Sequence, residues 1–201
     1  MKRDYVTIVS GVPRSGTSMM MRMIDRGGIP ALTDHVRRAD EDNPHGYFEF
    51  EPVKKVKADG LWIGTAAGRV LKMVHLLLLD LPLMHRYRVV LMQRNLDEVV
   101  ASQNAMLSRF NKSTDDLPVK RLVELYSVQL EKVRQYMRER PEHFQFREID
   151  YNYMLRDPLP QAEELSRFLD GLDVTAMIGV VDGKLYRNRA TPCSPVEAGH
   201  A

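Results

Sequence analysis

Residues 6–24 read VTIVSGVPRSGTSMMMRMI. The run from Val6 to Val9 gives way to Ser10-Gly11, then to a turn-prone stretch, and then to a methionine-rich segment of good helix propensity. That order describes a strand, a phosphate-cradling loop and a helix. Backbone amides at a helix start point outward, and the helix dipole favours an anion there. A Walker A loop would follow its second glycine with Lys and then Ser or Thr. Here Gly16 is followed by Thr17 and Ser18, and the positive charge sits earlier, at Arg14. A plain strand-turn-helix corner needs only the Pro and Gly, whereas this window adds an arginine and paired hydroxyls. The loop is therefore expected to hold a phosphate compound through Arg14, Ser15, Gly16, Thr17 and Ser18.

The rest of the chain supplies partners for that unit. β-rich runs at 5–9, 70–74, 88–93 and 144–149 are largely apolar rather than alternating, as in strands covered on both faces of a parallel sheet. Helical patterns at 17–26, 96–108, 117–139 and 159–170 separate them. Asn95 stands as N-cap of the second, with Glu98 three positions on in a capping-box arrangement. Strands alternating with helices over 201 residues predict an α/β fold, three layers α/β/α around a mainly parallel sheet. One domain is expected over 1–189, with 190–201 a flexible tail. The irregular stretch 27–68 holds DEDNPHGYFEFEP and is expected to be a lid or acceptor-side segment with a short helix after Pro52. The polar stretch 109–118, RFNKSTDDLP, is expected to be a second one. In GYFEFE an extended backbone would put Tyr47, Glu49 and Glu51 on one side and Phe48 and Phe50 on the other.

Composition narrows the functions. A net charge of +2 argues for neither nucleic acid nor a membrane surface as partner, yet leaves room for a small anion. The most apolar segment, VLKMVHLLLLDLPLM, is interrupted by Lys72, His75 and Asp80 and is too short to span a bilayer. No secretory signal is visible, and the lone Cys193 has no partner for an internal disulfide, so a cytoplasmic location is expected. No Cys/His cluster has metal-ligand spacing, so no metal is expected.

A second anion-binding element is RNLDEVVAS, residues 94–102. A Walker-type triphosphatase ends the matching strand in Asp to hold magnesium, whereas RVVLMQ ends in Arg94. Arg94 is a forked donor suited to a phosphate. It can equally pair with Asp97 or Glu98, leaving Ser102 a solvated helix residue. Asn95 and Ser102 are seven apart and share a helix face, at about 100° per residue.

Together these segments resemble the sulfotransferases that use 3′-phosphoadenosine 5′-phosphosulfate (PAPS). The family's PxSGT loop for the 5′-phosphosulfate is similar to PRSGTS here, and its R-x₇-S element for the 3′-phosphate to Arg94 through Ser102. Its YEDxxxDP segment resembles YNYMLRDP, with Tyr151 in the place of the tyrosine near the nucleotide. Its Lys-Thr-His strand end resembles KMVHLLLLDLP, with one extra residue between Lys72 and His75. The resemblance spans roughly residues 5–160. It is closest to bacterial-type members with a DNPxGYFE-like segment, here DNPHGYFE at 42–49. The cytosolic members have Lys in place of Arg14 and an aromatic in place of Met19. Their late GxxGxxK segment has no counterpart, although Lys184, Arg187 and Arg189 of DGKLYRNR can supply substitute charge.

The resemblance implies a sulfotransferase of P-loop-like nucleotide fold, with PAPS as co-substrate and a small-molecule, glycan or lipid acceptor. Arg14 and the loop amides would meet the charge growing on the departing 5′-phosphate. Lys72 would hold the sulfonate oxygens. The general base would be Glu49 or His75. A small-molecule kinase using ATP and magnesium, and a binder that has lost turnover, are the alternatives.

Overall fold

The structure is a computed structural model and describes residues 3–34, 36, 40, 46–109 and 118–181. Its regular elements are β1 (Val6–Gly11), α1 (Thr17–Arg26), β2 (Val70–Val74), β3 (Tyr87–Gln93), α2 (Leu96–Arg109), α3 (Val119–Arg138), β4 (Phe144–Asp150), α4 (Tyr151–Arg156), α5 (Pro158–Phe168) and α6 (Val174–Ile178). Short 3-10 turns run over Glu51–Lys55, Leu61–Ala66 and His75–Asp80. The strands form one all-parallel sheet in the order β2-β1-β3-β4.

Side chains on alternate positions feed two cores. Val6, Ile8, Leu71, Met73, Val89 and Leu91 pack beneath α2 and α3, against Val99, Leu130 and Val133. Val9, Val70, Val90, Met92 and Ile149 pack on the other face against Met20, Met21, Met23 and Ile24 of α1, and against α5 and α6. The sheet is thus the middle of three layers, which is why β1 and most of β3 are buried on both faces, whereas β4 at the edge fully buries only Phe144 and Ile149 and is not the doubly covered apolar run expected. All six residues of β1 are buried.

Chain order places the site. From β1 the chain crosses through α1 to β2 on one side, and β3 lies on the other side of β1. The carboxyl ends of β1 and β3 therefore flank a switch point in strand order, where open α/β sheets take their ligands. The glycine loop leaves β1 there, and Arg94 follows β3.

Several boundaries differ from the sequence reading for local reasons. β1 continues to Gly11 because Ser10 and Gly11 still pair with Met73 and Val74. α3 starts at Val119, with Pro118 in the N-cap position at a non-helical ψ of 142. α5 stops at Phe168, ahead of left-handed Asp170 and Gly171. The 3-10 turn at Glu51–Lys55 holds Pro52 as expected. The alternation expected in GYFEFE does not occur. Phe48 adopts φ 53 and packs with the α1 core, while Phe50 joins the opposite core with its ring centroid 5.3 Å from that of Trp62. α4 and α6 are elements the periodicity does not reveal. They are too short for a pattern and are set by caps, Asp150 accepting from the Tyr153 amide at 2.6 Å and Asp173 from Ala176 at 2.9 Å.

Most of 109–118, the segment from Asp42 to His45, and everything after Val181, including Lys184, Arg187, Arg189 and Cys193, lie outside the described residues. Among the described residues, no helix is long and apolar enough to cross a membrane.

Leu91 is fully buried between the central strand and α2–α3, whereas Val128 on α3 is 68% exposed. Leu91→Ala should cost about 2–5 kcal/mol in urea unfolding. Val128→Ala should stay within about 0.5 kcal/mol.

Candidate functional site

The glycine loop is a tight turn opening α1. The Ser15 amide bonds to the Val12 carbonyl at 3.2 Å. Gly16 is the N-cap, left-handed at φ 93, and no side chain caps the amides that follow. Those first-turn amides have no intrahelical partner and present a ready anion site. Glycine is required at 16 twice over. The φ is unfavourable to a Cβ, and a Cβ there would stand 2.2 Å from the Tyr151 ring. The Ser15 hydroxyl is fully buried and has no hydrogen-bond partner among the described residues. A buried hydroxyl left unpaired is costly unless a ligand satisfies it. Thr17 and Ser18, half-buried, form the first turn of α1.

On one side of the loop stands an arginine corner. The Arg94 NH1 group donates to the Arg14 carbonyl at 3.0 Å, and Arg14 Nε donates to Ser102 Oγ at 3.1 Å. Gln103 Nε2 donates to the Pro13 carbonyl at 3.0 Å and itself accepts from the Tyr126 hydroxyl at 2.9 Å. The loop is thus fastened at Pro13 and Arg14 to α2 and to the arginine just before it. Arg94 also pairs with Glu98, Nε to Oε2 at 3.0 Å, with side chains 7% and 2% exposed. Asn152 Nδ2 donates to the same carboxylate at 3.3 Å, and the Arg94 guanidinium lies 4.9 Å from the centroid of the Tyr151 ring. Pairing and hydrogen bonds together offset the desolvation of this buried carboxylate. Burial raises the Tyr151 pKa, opposed by Arg94 and Arg14, and the phenol stays protonated at neutral pH. Of the expected capping box only half is made. Asn95 Oδ1 accepts from the Asp97 and Glu98 amides at 2.9 and 3.2 Å, while the Glu98 carboxylate turns inward to Arg94.

On the other side stands a lysine corner. Lys72 projects from β2 toward α1. Its Nζ is 3.5 Å from Ser18 Oγ and 3.8 Å from Glu49 Oε1, and it donates to the Tyr47 carbonyl. Glu49, Lys72, Ser18 and the loop helix therefore meet in one place.

His75 is elsewhere. In a strand, side chains alternate faces, so the three-residue step from Lys72 sends His75 to the opposite side of the sheet. There its Nε2 is 2.9 Å from Gln129 Oε1, and its ring meets Tyr126 edge-on at 6.4 Å. It is 2% exposed. Burial holds the imidazole below its ordinary pKa of 6.5, partly offset by the contact with Gln129 and by the nearby Gly11 backbone.

The structure thus gathers Arg14, Ser15, Gly16, Arg94, Ser102 and Tyr151 at one corner, and Ser18, Glu49 and Lys72 at the next. Gln103 and Asn152 were missed by the sequence reading, their only signal being adjacency to Ser102 and Tyr151. Among the described residues, no group of three His, Cys, Asp or Glu side chains is placed to hold a metal ion.

No family model and no curated protein matches the sequence. Solved structures do resemble the fold. The sulfotransferase domain from the curacin biosynthetic pathway matches with a TM-score of 0.55 and 13% identity, covering 92% of this chain and 80% of that one. The sulfotransferase domain from the Synechococcus PCC 7002 olefin synthase matches with a TM-score of 0.49 and 11% identity, covering 96% and 82%. The first of these likenesses establishes a sulfotransferase fold for the chain.

The buried neutral His75 generates a pH dependence. Its folded pKa lies below its unfolded one, so under mildly acidic conditions the unfolded chain binds the extra proton and gains stability relative to the folded one. The free energy of unfolding should fall as pH drops from about 7.5 to about 5.5. Urea titrations of His75→Gln should show a shallower fall over the same range.

Proposed function

We propose that the protein is a PAPS-dependent sulfotransferase that passes the sulfuryl group to a hydroxyl or amine of a small-molecule, glycan or lipid acceptor. The observation that carries this reading is the meeting of two anion-binding motifs 80 and 88 residues apart, through the Arg94–Arg14 carbonyl and Arg14–Ser102 hydrogen bonds. A nucleotide phosphorylated at both 5′ and 3′ positions needs two such grips side by side. The donor set fits that nucleotide. It offers guanidinium, ammonium, hydroxyl and amide groups, and the buried unpaired Ser15 hydroxyl is one more donor. When bound, PAPS supplies the sulfuryl group and a leaving phosphate.

The chain's own residues divide the work. The first-turn amides of α1, with Ser15, Thr17 and Ser18, hold the 5′ end, where their fixed dipoles meet charge as it develops. Arg94, Ser102 and Tyr151 hold the 3′ end. Lys72, beside Ser18, is assigned to the sulfonate oxygens. Glu49 is assigned as general base because it shares Lys72's side of the sheet, 3.8 Å away, whereas His75 lies across the sheet. A magnesium-ATP kinase is disfavoured by chemistry: the end of β3 that would carry a metal-binding Asp carries a buried guanidinium.

Thermal unfolding with nucleotides tests the reading. 3′,5′-ADP should raise Tm clearly more than ATP with magnesium, and equal shifts would overturn it. Replacement of the proposed base provides a second check. With labelled PAPS and a panel of hydroxyl acceptors, Glu49→Gln should lower transfer by about 100-fold or more. Its 3′,5′-ADP affinity should stay near that of the wild type, and His75→Gln should transfer normally. Nucleotide binding without transfer to any acceptor would favour a non-catalytic relative.

A further inference from the structure

Resting on the sulfotransferase reading above, we propose that the acceptor is a lipophilic alcohol, a hydroxyl carried on a hydrocarbon body, and that this body lies along an apolar lip formed by the end of β2 and the turn after it.

The lip begins beside the proposed chemistry. Along β2, Leu71 and Met73 project into the core under α3, while Val70 and Lys72 project toward α1. Val74 is therefore on Lys72's side of the sheet, one pleat nearer the carboxyl edge. It lies in register with Gly11, where the phosphate loop begins. An acceptor hydroxyl placed at Lys72 and Glu49 has Val74 as the next side chain on that face. Val74 is 45% exposed, although the strand it ends begins with two fully buried residues.

Hydrocarbon continues past it. Residues 73–79 read MVHLLLL, and the one polar side chain among them, His75, turns inward to Gln129. Leu76, the next residue, is exposed. The turn packs against α3, where Leu125, one helical turn before Gln129, is exposed as well. Because α3 leads into the start of β4, its first half stands at the carboxyl edge of the sheet. Apolar surface thus runs from Lys72's side over the end of β2 to α3. Exposure alone does not single out this place. Leu61 and Met84 are more exposed, but they precede β2 and β3 and lie at the amino end of the sheet. Continuity with Lys72 and Glu49 is what distinguishes Val74 and Leu76.

That surface selects among acceptors. A sugar carries a hydroxyl on nearly every carbon, and each one pressed against the lip gives up water without gaining a partner. A hydrocarbon body gains with every methylene it covers. The product is then an alkyl sulfate: the alcohol oxygen takes the sulfuryl group, its proton passes to Glu49, and 3′,5′-ADP leaves.

A graded series of acceptors tests this. With labelled PAPS and primary alcohols from ethanol to octanol, kcat/KM should rise by about 2- to 4-fold per added methylene before levelling off. Glucose should be a poorer acceptor than hexanol. Val74→Ser should flatten the rise, mainly through KM, and Leu61→Ser, at the far end of the sheet, should leave it as it is. Binding gives a readout that needs no turnover. In the presence of 3′,5′-ADP, isothermal titration should show hexyl sulfate binding at least about 10-fold tighter than glucose 6-sulfate. Val74→Ser should narrow that gap while keeping 3′,5′-ADP affinity within about 2-fold, the sign that it folds. If it does not fold, Leu76→Ser should narrow the gap in its place. Glucose preferred over hexanol, or a hexyl sulfate preference untouched by both serine variants, would overturn the inference and leave the sulfotransferase reading standing. A wild type that fails to bind 3′,5′-ADP would overturn both.

Discussion

The guanidinium of Arg94 is the joint on which the candidate site depends. One edge is held by Glu98, one donor by the Arg14 carbonyl, and its central carbon sits over the Tyr151 ring, 4.9 Å from the centroid. Tyr151 in turn fills the space that a side chain at position 16 would need. Three segments that are distant in sequence, the glycine loop, the first turn of α2 and, through Tyr151 and Asn152, α4, are therefore tied to one planar cation. Arginine suits the post because its donors are rigidly forked and its charge does not titrate. A lysine would give a point charge with no plane to stack on the ring.

Around that joint the site has two ends with different electrostatics. At the arginine end the acidic partner is buried and spoken for. At the lysine end, Lys72 and Glu49 face each other at 3.8 Å, with side chains 15% and 23% exposed, so this ion pair is open to solvent where the other is not. The α1 amides lie between the two ends, which gives the loop its central place without a lysine of its own. His75 takes no part in either end. Its place is beneath α3, where it joins Gln129 and Tyr126 and links the end of β2 to the helix layer.

Much of this was legible in the chain. The strands and the main helices follow from apolar runs and helical spacing, and their observed bounds lie within a residue or two of the expected ones, although β4 is only partly covered. The glycine turn after β1 was legible because the left-handed φ of 93 at Gly16 is a local backbone requirement, which sequence encodes directly. The short helices α4 and α6 were not, because six and five residues hold too little periodicity to register. The break at Phe48 was not legible either, since nothing about a phenylalanine announces a positive φ.

By itself, the sequence determined the parallel α/β architecture, the glycine turn after the first strand, and the presence of an arginine where a metal-binding carboxylate would stand. Each of these is a local property, set by side-chain size, backbone freedom or charge at a single position. Only the tertiary structure decided which partner Arg94 takes, that Arg14 reaches Ser102, and that Lys72 and His75 lie on opposite faces of the sheet. Those outcomes depend on how segments more than fifty residues apart come to rest against one another, and on how the one added residue between Lys72 and His75 shifts the pleat. Packing and strand parity resolve such matters, and neither is written at any one position of the chain.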